Sequence, residues 1–367
     1  MDSKDFKISI CVVCMNRLHH LKQTLIKNIH DNADYQKLEF VLLDYNSEDG
    51  LNEWVKRELN TFIENGRLRY YRIGGIATWN PSHSKNIAFK LATGDIICNI
   101  WADYYTGLNF AAYVNQTFIE DENIVLTPID FYKTRKNYSP PSDVLGKVCV
   151  RKSDFLRVGG FDEKIDKHGF EDYDFINRLE MTGVKRVLIE NPTFLEYVAH
   201  DDSERYILPL EQLYGVFVSH LTPHSSDLLI LFNDYSFYRG IIVNNSTLGS
   251  ENPKYALVKR NFIFEYTILN ADWDTGEWKR KESEFEFFSI NTGESYLLAS
   301  DKTNQPLILH NPEGSDFFAL DNQEQIANIL EFKHFYDTRK IMENNLRNSV
   351  IKVNPNGFGQ GVFALQP

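Results

Sequence analysis

Short apolar runs alternate with stretches in which apolar residues recur every three or four positions. Ile8 to Cys14 reads as a buried strand, Leu18 to Ile29 as an amphipathic helix, and Leu38 to Asp44 as a second strand. The pattern continues with a helix from Asn52 to Ile63, a strand from Arg67 to Ile73, and a helix that includes Asn86 to Ala92. Gly94 is placed to stop that last helix, and Asp95 to Ile100 forms the next strand. Such alternation predicts an α/β domain with a mainly parallel sheet, whose ligands bind beyond the carboxyl ends of the strands. Those ends are Met15-Asn16-Arg17, Asp44-Tyr45-Asn46-Ser47 and Trp101-Ala102-Asp103, all polar or charged.

After about Arg205 the texture changes. Leu208 to His220 reads as a helix, followed by β-type runs at Asp227–Phe232, Gly240–Val243, Tyr255–Ile268, Phe285–Ile290, Tyr296–Ala299 and Pro306–His310. Turn residues separate some of them, which predicts a meander, a sandwich or a small barrel. Trp273 and Trp278 flank Asp274-Thr275-Gly276-Glu277, a spacing that suits a β-hairpin with aromatic partners or, alternatively, a surface that stacks on a glycan. A polar helix from Asn322 to Asn345 and a glycine-containing tail close the chain. The expected division is residues 1–221 for the α/β domain and 222–367 for a β-rich accessory domain ending in a helix.

With 367 residues, 43% of them hydrophobic, two folded domains are expected. The formal charge of −12 speaks against nucleic acid as a partner. Met1 to Lys7 shows no basic-then-apolar signal pattern, and no apolar run is long enough to span a bilayer, so a cytoplasmic location is expected, with attachment to the inner membrane face and homo-oligomerisation left open. Cys11 and Cys14 lie within an apolar strand, where packing explains them better than redox or metal chemistry.

Two adjacent carboxylates, Glu171 and Asp172, open a helix predicted from Asp172 to Thr182, just after the turn Gly159-Gly160-Phe161-Asp162-Glu163. Acidic residues at a helix start are favoured by the macrodipole, yet a carboxylate delivered to a cleft by flexible glycine turns can also take a proton from an attacking hydroxyl. The two segments Val158–Glu163 and Gly169–Asp174 resemble the acceptor-side motif of inverting glycosyltransferases with the GT-A fold, family 2 and the related galactosyltransferase-type domains. The resemblance runs from about Lys7 to about Arg205. It implies a GT-A nucleotide-diphospho-sugar transferase fold, an α/β Rossmann-like mixed sheet, here followed by the C-terminal β-rich domain.

What the resemblance implies residue by residue is as follows. Asp44, opening Asp-Tyr-Asn-Ser-Glu-Asp-Gly, is similar to the family's uracil-binding aspartate, with Ser47, Asn16 and Arg17 beside the nucleotide. Lys85-Asn86 stands where Arg-Asn is usual, which keeps a charge but loses the planar fork. Asn99 to Gly107 aligns with the segment that carries an Asp-x-Asp metal motif; Trp101 replaces its first aspartate, and Ala102 and Asp103 remain. His200 falls where relatives place a histidine ligand, so Asp103 and His200 are the expected ligands of Mn²⁺ or Mg²⁺.

The implied reaction moves a hexose or N-acetylhexosamine from a UDP-sugar to a hydroxyl of a glycan or glycolipid acceptor, with Asp172 as base and Glu171 orienting the acceptor. Loss of the first aspartate keeps open a non-catalytic sugar-nucleotide or glycan-binding protein. A nucleotidyltransferase is disfavoured because no glycine-rich loop follows the first strand.

Overall fold

A computed structural model describes residues 5–130, 135, 137–200, 212–222, 225–243, 273–300, 307–361 and 363–365. The chain divides into two compact units, residues 1–201 with 337–367 and residues 202–336. The chain thus passes between units twice, where the sequence suggested a single boundary at residue 221.

In the first unit β1 (Ile8–Cys14), β2 (Leu38–Tyr45), β3 (Leu68–Ile73) and β4 (Ile96–Trp101) are parallel, in spatial order β3-β2-β1-β4. β5 (Ile124–Thr127), β6 (Val148–Arg151) and β7 (Lys185–Leu188) extend the sheet beyond β4, with β6 antiparallel to both β4 and β5. Successive strand residues point to opposite faces, so an apolar run such as Ile8 to Cys14 feeds two cores. Ile10, Val12, Phe40 and Ile100 pack beneath α1 (Leu18–Asp31) together with Leu21 and Leu25. Cys11, Val13, Val41 and Ile97 pack on the other face with Ile87, Phe89 and Phe175. All four cysteines are buried and free, as expected of packing residues.

The predicted helix 52–63 is two short helices, α2 (Leu51–Glu58) and α3 (Asn60–Glu64). The helix at Asn86 starts earlier than read, as α4 (Pro81–Leu91), because Asn80 caps the His83 amide at 2.9 Å and Pro81 occupies the first helical position. Gly94 serves a purpose other than stopping that helix: a Cβ there would come within 2.7 Å of the Ser9 backbone. The remaining helices of the unit are α5 (Phe110–Glu120), α6 (Lys152–Arg157) and α7 (Glu171–Met181).

The second unit is a closed antiparallel barrel of β8 (Leu213–Thr222), β9 (Ser225–Phe232), β10 (Ser236–Val243), β11 (Asp274–Lys281), β12 (Glu284–Ser289), β13 (Ser295–Ser300), β14 (Ile308–His310) and β15 (Phe317–Ala319). The helix expected at Leu208–His220 is, from Leu213 on, strand β8. Its Tyr, Val and Phe content favours a pleated surface, and pairing with β9 and β15 decides the matter. Residues 208–211 and the predicted strand Tyr255–Ile268 lie outside the described residues. Trp273 and Trp278 are buried, with Trp278 inside strand β11 rather than at a hairpin turn, which removes them as an exposed glycan surface.

The helix predicted at Asn322–Asn345 is α8 (Gln323–Arg347); from Asp337 onward it belongs to the first unit, as does the tail. β16 (Phe363–Leu365) pairs antiparallel with β3. Asn354 donates to the carbonyls of Gly159 and Phe161 and accepts from the Glu163 amide, so the tail holds the turn before α7. Gly159 has φ +76° and lies against Val353, whose carbonyl oxygen would be 2.5 Å from a Cβ. No helix among the described residues is long and apolar enough to cross a membrane.

Arg178, fully buried, secures the same turn from α7. It bonds Asp174 at 2.8 Å and donates to the carbonyls of Val158 and Gly160. Arg178→Met should therefore leave Asp174 as an uncompensated buried charge and lower unfolding free energy by about 3–5 kcal/mol, read from urea denaturation.

Candidate active site

The loops after β1 and β2 are stitched together. Asn16, in the left-handed region at φ +55°, takes Ser47 Oγ on its amide at 3.1 Å and accepts the Glu48 amide on Oδ1 at 2.8 Å. Asp49 accepts the Leu18 amide at 2.7 Å, next to Arg17. Asp44 is fully buried at the end of β2; its Oδ1 accepts the Ser47 amide, and its Oδ2 accepts the Tyr70 hydroxyl at 2.9 Å and faces Arg72 Nε at 3.3 Å. Burial pushes the Asp44 carboxyl above the usual range, against those hydrogen bonds. Tyr70 and Arg72 alternate along β3 on the face that Asp44 uses, a register that only the paired sheet reveals.

Phe170 stands before the carboxylate pair with φ +67°, a costly conformation for a bulky residue. It follows Gly169, whose amide donates to Glu171 Oε2 at 2.9 Å. The result aims both carboxylates at Lys85 on α4: Lys85 Nζ lies 3.1 Å from Glu171 Oε1 and 2.7 Å from Asp172 Oδ1. Of the three side chains, Lys85 is 0% exposed, Glu171 2% and Asp172 11%, so Asp172 is the one that keeps an outlet. Burial works to raise both acids. At Glu171 the Lys85 ammonium and His168 outweigh it and the pKa falls, whereas at Asp172 burial prevails and the pKa is pushed up to about 6.

The segment after β4 is fixed from two sides. Thr24 and Asn28 of α1 donate to the carbonyls of Ala102 and Tyr104. An antiparallel bridge joins Tyr104 to Tyr197, with Val198 donating to the Asp103 carbonyl at 2.8 Å. That bridge brings His200 Nε2 within 3.3 Å of Asp103 Oδ2, and the His20 ring lies 5.0 Å from that of His200. Buried Lys147 clamps the two segments through the carbonyls of Tyr105 and Phe194, and burial pulls its ammonium down to about 8.

The predicted residues therefore fall into three groups. Asn16, Arg17, Asp44 and Ser47 lie at the ends of β1 and β2; Asp103 and His200 meet after β4, with Ala102 pinned to α1; Lys85, Glu171 and Asp172 form one cluster. Lys85 sits with the two carboxylates that open α7. Asn86 is committed to the Gly-Gly turn, donating to Phe161 and Glu163 and accepting the Phe161 amide. Trp101 bridges groups, its ring centre 5.0 Å from Lys85 Nζ. Tyr70, Arg72, Lys147 and Trp79 were missed. The only local signal was Trp79-Asn80-Pro81, a helix-start tripeptide.

A mixed sheet covered by helices on both faces, with its polar side chains gathered beyond the ends of β1, β2 and β4, defines an α/β domain of the sugar-nucleotide transferase type. Residues 9–171 match the model for glycosyl transferase family 2, and residues 130–225 match that for glycosyltransferase like family 2. This part of the chain belongs to glycosyl transferase family 2 and is a glycosyltransferase domain. No curated protein matches the chain significantly.

Among solved structures, the chain resembles the mannosyltransferase PcManGT from Pyrobaculum calidifontis in complex with GDP-Man and Mn²⁺. The identity is 20%, the TM-score 0.43, and the match covers 52% of this chain and 56% of that one. S. aureus TarS 1–349 with UDP is 18% identical at a TM-score of 0.40, covering 50% and 58%. TarS 1–349 with UDP-GlcNAc is 15% identical at 0.40, covering 56% and 63%. The chain thus spans little more than half of each of these chains, and so distant an overlap carries no conclusion about chemistry.

Lys85→Met should leave two buried carboxylates without their cation. Stability at pH 7.5 should fall by about 3–5 kcal/mol, and the deficit should shrink toward pH 5 as a carboxyl takes up a proton, measured by urea denaturation at both values.

Proposed function

We propose that the chain transfers a hexose or N-acetylhexosamine from a UDP-sugar to a glycan hydroxyl with inversion at the anomeric carbon. The observation that carries this reading is the Glu171–Lys85–Asp172 cluster, in which one carboxylate keeps an outlet and its pKa is raised toward neutrality. Asp172 accepts the proton of the acceptor hydroxyl, whose oxygen bonds to the anomeric carbon while the bond to the diphosphate oxygen breaks and UDP leaves. Glu171, held by Lys85 and the Gly169 amide, orients the acceptor. Asn16, Arg17, Asp44 and Ser47 flank the nucleotide, whereas Lys85 and Asn86, expected beside it, are taken up within α4 by the carboxylate pair and by the Gly-Gly turn.

A divalent metal fits the pair of Asp103 and His200. One carboxylate and one imidazole lie close enough to share an ion, and that mixed oxygen and nitrogen set suits Mn²⁺ better than Mg²⁺. Among the described residues no group of three ligating side chains occurs, so diphosphate oxygens and water would complete the shell. When bound, the metal neutralises charge on the leaving diphosphate. Trp101 in place of an acidic residue favours a second reading, a domain that binds sugar nucleotides without turning them over. Release of the nucleoside diphosphate, UDP from a panel of UDP-sugars or GDP from GDP-mannose, separates the two.

Asp172→Asn should lower transfer by about 10²–10⁴-fold while UDP affinity stays unchanged by calorimetry; an unchanged rate removes Asp172 as base. Because the base must be ionised, activity of the native protein should rise with pH through an apparent pKa of about 6, a limb absent from Asp172→Asn. Asp103→Ala should abolish the gain in UDP affinity that Mn²⁺ confers; affinity that never responds to Mn²⁺ in the native protein rules out the metal assignment.

A further inference from the structure

Trp79 and Trp101 form an aromatic pair that the transfer mechanism leaves without a task. Both are half-buried, with ring centres 5.6 Å apart and planes inclined by 59°, so neither covers the face of the other. Trp79 follows Gly74–Thr78, mostly exposed, and is braced edge-on by buried Tyr45 at 84°, whose hydroxyl bonds His83 Nδ1 at 2.8 Å. The pyrrole edge of Trp101 lies against Gly146, where an added Cβ would come 2.3 Å from the indole nitrogen. The position of Trp101 is therefore built in by a glycine on another segment.

Which side of the sheet the pair serves follows from strand alternation. Asp44 and Tyr45 are neighbours on β2 and point to opposite faces. Asp44 belongs to the nucleotide side with Tyr70 and Arg72, whereas Tyr45 and Trp79 pack with the apolar cluster beneath α4 and α7; Trp101, at the end of β4, touches that cluster and the one on the other face. From Trp101 the contacts lead through Lys85 at 5.0 Å to Asp172 at 2.7 Å. The Lys85 charge is already met by two carboxylates, so Lys85 is no surplus cation with which to draw a phosphate.

An aromatic surface without net positive charge, next to a base that must meet a hydroxyl, suits a neutral pyranose, whose C–H face is apolar and whose rim is polar. We propose that Trp79 and Trp101 form a stacking subsite for the acceptor's terminal sugar ring. This rests on the transferase reading above, since it places the acceptor on the Asp172 side.

The test uses the full chain with UDP and Mn²⁺, into which methyl β-galactopyranoside, methyl β-glucopyranoside and methyl N-acetyl-β-glucosaminide are titrated and followed by saturation-transfer NMR. At least one glycoside should bind saturably, with transfer strongest to the C–H protons of one ring face. Trp79→Ala should weaken it by about tenfold or more while Trp79→Phe retains most of the affinity and UDP binding stays within about twofold of native in both. Gly146→Ala should weaken the glycoside as well, through the displaced indole. Equal glycoside binding by Trp79→Ala and the native protein overturns the subsite, as does a parallel loss of UDP affinity, which would make the pair a base-stacking element. Absence of saturable binding for all three glycosides overturns it too. Trp79-dependent glycoside binding by a protein that consumes no sugar nucleotide would sink the transferase reading and leave the subsite standing.

Discussion

One buried ammonium, Lys85, holds the site together. Two carboxylates at the start of a helix repel each other, and burial raises the cost of charging either. The favourable field of the helix start is worth less than a kilocalorie or so at an exposed position, about 0.3–1 kcal/mol, and cannot by itself carry two buried charges. A cation at hydrogen-bonding distance from both resolves this: the Lys85 ammonium favours the charged form of each, and at Asp172 burial together with the Glu171 charge still holds the pKa high. Phe161 and Trp101 close over the Lys85 ammonium at 4.4 and 5.0 Å, which excludes water from it and gives each ring an electrostatic reason to be there.

The parts around this cluster are positioned by distant stretches of chain. The Gly159-Gly160 turn is held by Asn86 of α4, Arg178 of α7 and Asn354 of the tail, each satisfying turn backbone that would otherwise be buried without partners. The Asp103–His200 pair is a separate device. It depends on a one-residue bridge, a buried lysine and two side chains of α1, and its members are nearly a hundred positions apart in sequence.

The α/β unit was largely legible because its strands are apolar runs of the right length, and because Asp44, Asp103, Glu171 and Asp172 stand in motifs with fixed spacing. Pairings that depend on register were not legible: nothing local says that Tyr70 and Arg72 share a face with Asp44, or that Lys85 turns toward α7. The misreading of Leu213–His220 as helix has the same cause, since a short apolar stretch takes its form from the neighbours it pairs with. The tail was opaque for a different reason. Residues 353–361 are largely polar and glycine-containing, and apart from Val353 and Phe358, which packs on Phe155, they contribute backbone and asparagine contacts that leave no hydrophobic periodicity.

That tail sets an order of assembly. Val353 and Asn354 meet Gly159, and Gly359 donates to Glu163 at 2.7 Å, across 194 to 196 intervening steps of chain. Strands β1 to β4 can pair as soon as they emerge during synthesis, but the wall behind the reactive carboxylates is finished only by residues made after the entire barrel. A chain without these residues would own strands β1 to β4 and the motifs while lacking the brace, so the turn that precedes the carboxylate pair is completed only by a segment synthesised after the barrel.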